Sequence, residues 1–237
     1  MKAGGKRGAR RIWITRARPG AEATAARVRA LGCEPLVAPL LEVRPLTGVP
    51  VDLGGVGALA FSSANGVRAF AALSGARDLR VFAVGGATAQ AAREAGFETV
   101  LSADGDVGDL TRAVLARHRA ADGAVLHPSA AEPAGDLVGA LAAAGLSARR
   151  LTVYDNVAVS LSLPDRARLR RADDVLVHSP KAAEALADLL RESPLPQLRA
   201  LAISQAAIAP LAGLSLSAKL VASRPREADL LQLIETP

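Results

Sequence analysis

Short apolar segments alternate along the chain with longer segments whose apolar residues recur at three- or four-residue spacing. The short segments are rich in Val, Ile and Leu, as buried strands are, and the longer ones have the pattern of amphipathic helices. This alternation predicts an α/β fold with parallel sheets and helices on both faces. Strands are predicted at residues 12–15, 36–43, 58–62, 81–84, 99–102, 124–127, 149–159, 175–178, 200–204 and 219–222.

Two of the predicted helices have a glycine at the expected end. The helix over residues 21–31 is followed by Gly32, and the helix over residues 134–144 by Gly145. Glycine is favoured there because the residue after a helix often adopts the left-handed backbone conformation.

The chain also repeats itself. Four pairs of segments match in the same order, at offsets between 112 and 120: 12–32 with 124–145, 63–70 with 179–186, 80–85 with 199–204, and 100–110 with 220–230. Such duplication predicts two similar lobes of about 100 residues each.

The predicted domain boundaries follow from two extended stretches without helical pattern, residues 41–51 and 151–164. We expect these stretches to form a two-stranded ladder that joins the lobes. Lobe 1 is then discontinuous, with residues 12–40 and 165–237, and lobe 2 is residues 52–150. A cleft between two lobes is the usual place for a ligand.

The positive charge is concentrated at one end of the chain. The net charge is +6, of which Lys2, Lys6, Arg7, Arg10 and Arg11 supply +5, so that the remainder carries only +1. We expect residues 1–11 to be a disordered basic tail. Nucleic-acid binding through this tail is an alternative, but a nearly neutral body has little charge to neutralise phosphates.

Composition excludes several classes of protein. One cysteine, Cys33, and three histidines cannot supply a disulfide scaffold or a zinc module. No apolar stretch has the length of a membrane span or a signal-peptide core. A cytoplasmic protein without a transition-metal site is therefore expected. We also expect the protein to be a monomer.

Small hydroxyl residues follow several predicted strands, where ligands of parallel sheets bind. Their hydroxyl groups and the free N–H groups of the following helices suit carboxylate or phosphate oxygens. The alternative is that they only cap helices. The candidates are Ser62, Ser63, Thr88, Ser129, Ser179 and Ser204.

Two further side chains are candidates for chemistry. Tyr154, the only tyrosine, lies in the second extended stretch, where its phenol could donate a proton to a leaving group or simply be an aromatic with its hydroxyl in water. Arg16 ends the first strand and could bind a carboxylate through two hydrogen bonds, or form a surface ion pair.

Other patterns favour structural roles. Gly85 and Gly86 lack the G-x-G-x-x-G spacing of dinucleotide sites, and His127 and His178 follow no nucleophile-elbow motif. The charged run over residues 165–174 is typical of a solvated face.

The sequence resembles the uroporphyrinogen-III synthase family over nearly its whole length beyond the tail. The resemblance rests on the order and spacing of several segments: Ile14-Thr15-Arg16, Gly32, Pro39-Leu40, Phe61-Ser62-Ser63 with Val67, Val84 to Ala89 with Ala95-Gly96, Leu151 to Tyr154, and His178-Ser179-Pro180.

This resemblance implies two flavodoxin-like lobes and a cofactor-independent lyase. The substrate would be the linear tetrapyrrole hydroxymethylbilane, cyclised to uroporphyrinogen III with loss of water and inversion of ring D through a spiro intermediate. By the same resemblance, Tyr154 would assist departure of hydroxide, while Thr88, Ser63 and Ser179 would bind substrate.

The chain departs from the family at two places. Ser204-Gln205-Ala206-Ala207 stands where many members have a Gly-x-x-Thr loop, so Ser204 is the expected replacement, and Pro128 to Pro133 replaces a glycine-rich turn with an arginine. The alternative function is a non-catalytic two-lobed module that binds a small polyanionic metabolite.

Overall fold

The computed structural model describes residues 9–133 and 135–236. The strands are β1 (Arg11–Ile14), β2 (Glu34–Val37), β3 (Leu41–Pro45), β4 (Val56–Phe61), β5 (Arg80–Ala83), β6 (Val100–Ser102), β7 (Ala124–Ala130), β8 (Ala148–Ala158), β9 (Asp174–Val177), β10 (Arg199–Ala202) and β11 (Ala218–Val221). The helices are α1 (Gly20–Ala30), α2 (Ala64–Leu73), α3 (Gly86–Glu94), α4 (Val107–Arg117), α5 (Leu137–Ala143), α6 (Leu163–Leu169), α7 (Pro180–Glu192), α8 (Gln205–Ile208) and α9 (Glu227–Gln232).

The chain divides into two compact units. Unit 1 comprises the described residues up to Glu42 together with those from Val157 onward, and unit 2 is Val43–Asn156. The chain therefore leaves unit 1 within β3 and returns to it within β8.

Each unit is built on a sheet of parallel strands. In unit 2 the edge strand β3 runs antiparallel to β8, as the hydrogen bonds from Leu46 N to Val153 O and from Val159 N to Leu40 O show. Unit 1 has the strand order β11-β10-β9-β1-β2, and the sheet of unit 2 has the order β3-β8-β7-β4-β5-β6. The pairings of β1 with β2 and β9, and of β4 with β5 and β7, are all parallel. The α/β prediction with parallel sheets is confirmed.

The internal repeats occupy equivalent places in the two sheets. In the two strand orders, β4, β5 and β6 of unit 2 correspond to β9, β10 and β11 of unit 1. Strand β7 corresponds to β1. Each repeated strand leads into a helix at the same point, so the matching segments reflect duplicated strand–helix pairs.

The sheets are buried on both faces, as parallel sheets generally are. In unit 1, Trp13 belongs to one apolar cluster while its strand neighbours Ile12 and Ile14 belong to another. In unit 2, Phe82 and Val81 divide between two clusters in the same way. Alternate residues of a strand point to opposite faces, so each β-branched or aromatic run fills both cores.

Several predicted boundaries differ from the structure. The single strand expected over residues 36–43 is two strands, β2 and β3. The helix expected over residues 134–144 begins at Leu137, because the Asp136 side chain caps it by accepting a hydrogen bond from Gly139 N at 2.8 Å. Ala134 lies outside the described residues.

The expected disordered tail needs a correction at its end. Residues 1–8 lie outside the described part of the chain, but Arg11 begins β1 and Arg10 forms an ion pair with Asp174 at 2.5 Å. Asp174 also corrects the prediction of a solvated face, since it is fully buried.

Asp174 is the centre of an ionic network at the amino ends of the unit 1 strands. Arg199 contacts Asp174 at 2.6 Å and donates hydrogen bonds to the carbonyl groups of Leu233 and Thr236. The network thereby ties the last turn of the described chain to β9 and β10. Within the described residues, no helix is both long and apolar enough to cross a membrane.

Candidate active site

Helices α2 and α3 both begin at the carboxyl edge of the unit 2 sheet. Ser63 caps α2, its Oγ accepting a hydrogen bond from Asn65 N at 3.1 Å. Gly85 is the N-cap residue of α3 and supplies no side-chain cap, and a Cβ built at Gly85 or Gly86 meets no atom within 4 Å. The first N–H groups of a helix have no partner within the helix, so a helix start with open space beside it is an arrangement that can accept an anion's oxygens.

Thr88 lies in the first turn of α3. Its backbone N–H donates to Gly85 O at 3.0 Å, and the residue is only 5% exposed. Gly85 and Gly86 lie three and two residues before it in the chain, so Thr88 is placed at the same helix start.

Tyr154 lies at the same edge, in β8. Its backbone is in register with Ala130 at the end of β7, and Tyr154 belongs to one apolar cluster with Ala130 and with Ala69 of α2. Burial raises the pKa of the Tyr154 phenol, and the Ser63 side chain, a hydrogen-bonding neighbour, partly opposes that rise. The phenol therefore stays protonated at neutral pH and can act as a proton donor.

The other two serines of unit 2 differ in their surroundings. Ser62 follows β4 and is half-buried. Ser129 is 2% exposed, and its hydroxyl donates to Ala130 O at 3.1 Å. Because a serine has a single donor, Ser129 is poorly suited to the carboxylate contact predicted for it.

Unit 1 has equivalent serines at the carboxyl ends of β9 and β10. Ser179 Oγ accepts from Ala182 N, and Ser204 Oγ accepts from Ala207 N, both at 3.2 Å. The capping interpretation is thus correct for both residues, and for Ser63. Capping uses an acceptor of the hydroxyl and leaves its hydrogen free, so a cap can still donate to a ligand.

Arg16 follows β1 at the carboxyl edge of unit 1. Its guanidinium lies 3.5 Å from Glu227 and packs against Gly20, where a Cβ would come within 2.7 Å of Nε. Glu227 also pairs with Arg27. Two arginines share one carboxylate, so this cluster keeps a net positive charge.

His127 and His178 differ in the hydrogen-bond partners of their rings. His127 Nδ1 lies 2.7 Å from Ala60 O, and burial lowers the pKa of its ring. His178 has both ring nitrogens inaccessible and without hydrogen-bond partners among the described residues. Burial, helped by the positive charge of Arg16, lowers the pKa of His178 from 6.5 to about 3.

The structure thus joins some predicted residues and not others. Ser63 and Tyr154 lie at the same edge of the unit 2 sheet, and Thr88 lies in the first turn of the helix that follows β5. Sequence reasoning missed the Glu227 partner of Arg16 and the role of Gly20, because residues so distant in sequence carry no periodic signal.

Known proteins share this arrangement of strands and helix starts. The family model described as uroporphyrinogen-III synthase HemD matches residues 22–232. The chain belongs to the uroporphyrinogen-III synthase family. The matched range includes every predicted site residue of this family member except Arg16, which lies shortly before it.

Solved structures show the same fold. The uroporphyrinogen-III synthetase of Helicobacter pylori 26695 is similar with a TM-score of 0.67 and 18% identity, covering 96% of this synthase-family chain and 99% of that one. A mutant uroporphyrinogen III synthase from the extremely thermophilic bacterium Thermus thermophilus gives a TM-score of 0.51 and 21% identity, with coverage of 96% and 98%. Among curated proteins, none matches significantly.

Proposed function

We propose that this chain is a uroporphyrinogen-III synthase, a lyase that cyclises hydroxymethylbilane with loss of water and inversion of ring D. Family membership supports the activity. The observation that carries the chemistry is the position of the only tyrosine, buried at the carboxyl edge of the unit 2 sheet, the edge at which α2 and α3 also begin.

Tyr154 is the proposed proton donor. The C–O bond of the hydroxymethyl group breaks with its electron pair on oxygen, and the phenol proton joins that oxygen to form water. The pyrrole nitrogen supplies electrons to the carbon, giving a protonated azafulvene beside the Tyr154 phenolate. Attack by the substituted carbon of ring D then gives the spiro intermediate, which fragments. The ring closes at the unsubstituted carbon of the inverted ring D, and the proton that this carbon loses restores the phenol.

The carboxylates of the substrate are the proposed ligands of the helix starts. Hydroxymethylbilane carries eight of them, and the donors available to them are the open N–H groups of α3 and a set of side chains. These side chains are Arg16, Ser62, Ser63, Thr88, Ser179 and Ser204. Because the chain beyond its first 11 residues carries a net charge of only +1, it must bind a polyanion through such local donors.

Orientation of the substrate accounts for much of the proposed catalysis. The step that decides the product is the meeting of rings A and D. Holding two reacting groups in the correct orientation can lower the activation free energy by about 7 to 11 kcal/mol in the most favourable cases. None of the proposed steps uses a metal or a cofactor. The cytoplasmic location and the monomeric state stay predictions from the sequence.

Replacing Tyr154 with Phe tests the proposed donor. The variant removes only the phenolic oxygen, so its enzyme-catalysed rate of bilane consumption should fall by about 100-fold, a typical contribution of general acid catalysis. The free energy of unfolding should fall by only about 1 kcal/mol, the value of one hydrogen bond. The rate is measured with freshly generated hydroxymethylbilane and corrected for spontaneous closure.

An unchanged rate in Tyr154→Phe would remove this residue from the mechanism. Absence of turnover in the unaltered protein, together with tight binding of an unrelated polyanion measured by calorimetry, would instead favour the non-catalytic binding module.

A further inference from the structure

Arg16, which follows β1, is held at one end of its guanidinium group. Its Nη1 donates a hydrogen bond to Thr24 Oγ1 at 3.4 Å and lies 3.5 Å from a carboxylate oxygen of Glu227. Thr24 is fully buried in α1, so this anchor is a fixed part of unit 1. Nε and Nη2, at the other edge of the guanidinium, have no hydrogen-bond partner among the described residues.

The start of α1 lies against that second edge. A Cβ built at Gly20, the first residue of α1, would lie 2.7 Å from Nε and 2.9 Å from both Cζ and Nη2 of Arg16. Cβ atoms do not come this close to other atoms, so only glycine at position 20 leaves room for the guanidinium in this place. The Arg16 side chain is nonetheless 35% exposed, and a ligand can therefore reach it.

Glu227 keeps its place without Arg16. Its Oε1 lies 2.5 Å from Thr24 Oγ1, and its carboxylate also forms an ion pair with Arg27. Thr24 and Arg27 both belong to α1, whereas Glu227 is the first residue of α9, so the carboxylate joins the two helices. Two arginines then surround one carboxylate, which leaves one positive charge to attract an anion.

The Nε and Nη2 edge of Arg16 has the geometry that a carboxylate prefers. An arginine binds a carboxylate most specifically through two parallel N–H donors, and the N–H groups of Nε and Nη2 form such a pair. Fixing the guanidinium beforehand lowers the conformational entropy that is lost when the ligand binds. An arginine anchored at Nη1 therefore meets a carboxylate with a pair of donors already in place.

We propose that Glu227 is a positioning residue that anchors Nη1 of Arg16, so that the Nε and Nη2 edge binds one carboxylate of the substrate through two hydrogen bonds. Glu227 contacts the arginine and not the substrate. The inference rests on the proposed function, which supplies the carboxylate.

Glu227→Gln tests the anchor by the direction of its effect. The amide has a single acceptor oxygen for the donors of Thr24, Arg27 and Arg16, so Arg16 loses its fixed orientation. KM for hydroxymethylbilane should rise about tenfold, the lower end of what a hydrogen bond to a charged group contributes, with little change in kcat. Simple charge compensation predicts the opposite, because removing a negative charge beside two arginines strengthens their attraction for a polyanion.

Gly20→Ala moves the guanidinium without removing any charge. The new Cβ displaces the end of a flexible side chain rather than backbone, so the cost in stability is small, and alanine is the better helix former. We expect KM to rise as in Glu227→Gln, while the free energy of unfolding is unchanged or higher. A purely structural role for Gly20 predicts that KM and stability worsen together. This variant also provides the test if Glu227→Gln fails to fold.

Arg16→Met completes the test, because the proposed effect of Glu227 acts only through Arg16. Arg16→Met alone should raise KM, and adding Glu227→Gln or Gly20→Ala to it should raise KM no further. The matched control is Glu22→Gln, which removes another carboxylate of α1, one that pairs with Arg18. Its KM should stay within about twofold of that of the unaltered protein.

An unchanged or lower KM in Glu227→Gln would overturn the proposal, and so would a further increase when Glu227→Gln is added to Arg16→Met. Either result would be obtained with a protein that still forms uroporphyrinogen III. Failure of the proposed function is distinct from both, because the unaltered protein would then form no uroporphyrinogen III, and the carboxylate proposed for Arg16 would be refuted with it.

Discussion

Unit 1 buries two ionisable groups, the carboxylate of Asp174 and the ring nitrogens of His178. Asp174 is buried between Arg10 and Arg199, whereas the two ring nitrogens of His178 are buried without a partner in the described residues. Two arginines compensate the charge of the buried Asp174 carboxylate, whereas a buried imidazole without partners is kept neutral by its surroundings.

The pKa of His178 makes stability depend on pH. In the unfolded chain the imidazole takes up a proton near pH 6.5, and in the folded protein only near pH 3. The unfolded state binds more protons between these values, so the stabilisation is complete above pH 6.5 and is lost as the pH falls toward 3.

Replacing His178 with Phe should remove this dependence. Between pH 7 and pH 5 the free energy of unfolding of the unaltered protein should fall by about 2 kcal/mol more than that of His178→Phe. Urea unfolding at the two pH values measures the difference. Equal losses in the two proteins would show that His178 is protonated in the folded state.

The same residues show what a sequence can predict. The caps at Ser179 and Ser204 were predictable, because a hydroxyl between a strand and a helix has a local function. The burial of Asp174 was not, because its arginine partners are 164 and 25 residues away in sequence. The charged run over residues 165–174 has the pattern of a solvated face, but the structure buries Asp174.

At the scale of elements, close approach between α2 and β7 sets the candidate site. The prediction of strands succeeded because runs such as β4 and β9 are continuously apolar. The separation of β2 from β3 was missed, because Pro39 and the residues around it keep the apolar, extended pattern across the break. A Cβ at Gly66, in the first turn of α2, would lie 2.7 Å from Pro128 O, and this contact depends on packing and leaves no trace in local sequence.

Replacing Gly66 with Ala should destabilise the protein. Alanine is the better helix former by about 1 kcal/mol, but forcing its Cβ against Pro128 O costs about 1 to 3 kcal/mol. The free energy of unfolding should therefore fall, and turnover should fall with it as Ser63 moves. Denaturant unfolding and the bilane assay measure the two effects.

Gly86→Ala is the matched control for stability, because a Cβ there meets nothing within 4 Å. Its free energy of unfolding should be unchanged or slightly higher. Higher stability in Gly66→Ala as well would contradict the close contact with β7.

At the scale of the molecule, duplication is the main feature that sequence and structure share. The repeats at offsets near 116 to 120 predicted two similar lobes, and the two sheets have corresponding strand orders. Each unit places hydroxyl groups and helix starts at its carboxyl edge. Only unit 2 adds a tyrosine, so the proposed chemistry belongs to that unit and the proposed binding to both.

The isomer composition of the product tests the central claim most directly. Hydroxymethylbilane is generated enzymatically in the presence of the purified protein, and the porphyrins obtained after oxidation are separated by chromatography. We predict that isomer III predominates and that its share increases with protein concentration. Formation of isomer I alone, the product of spontaneous closure, would contradict the proposed function.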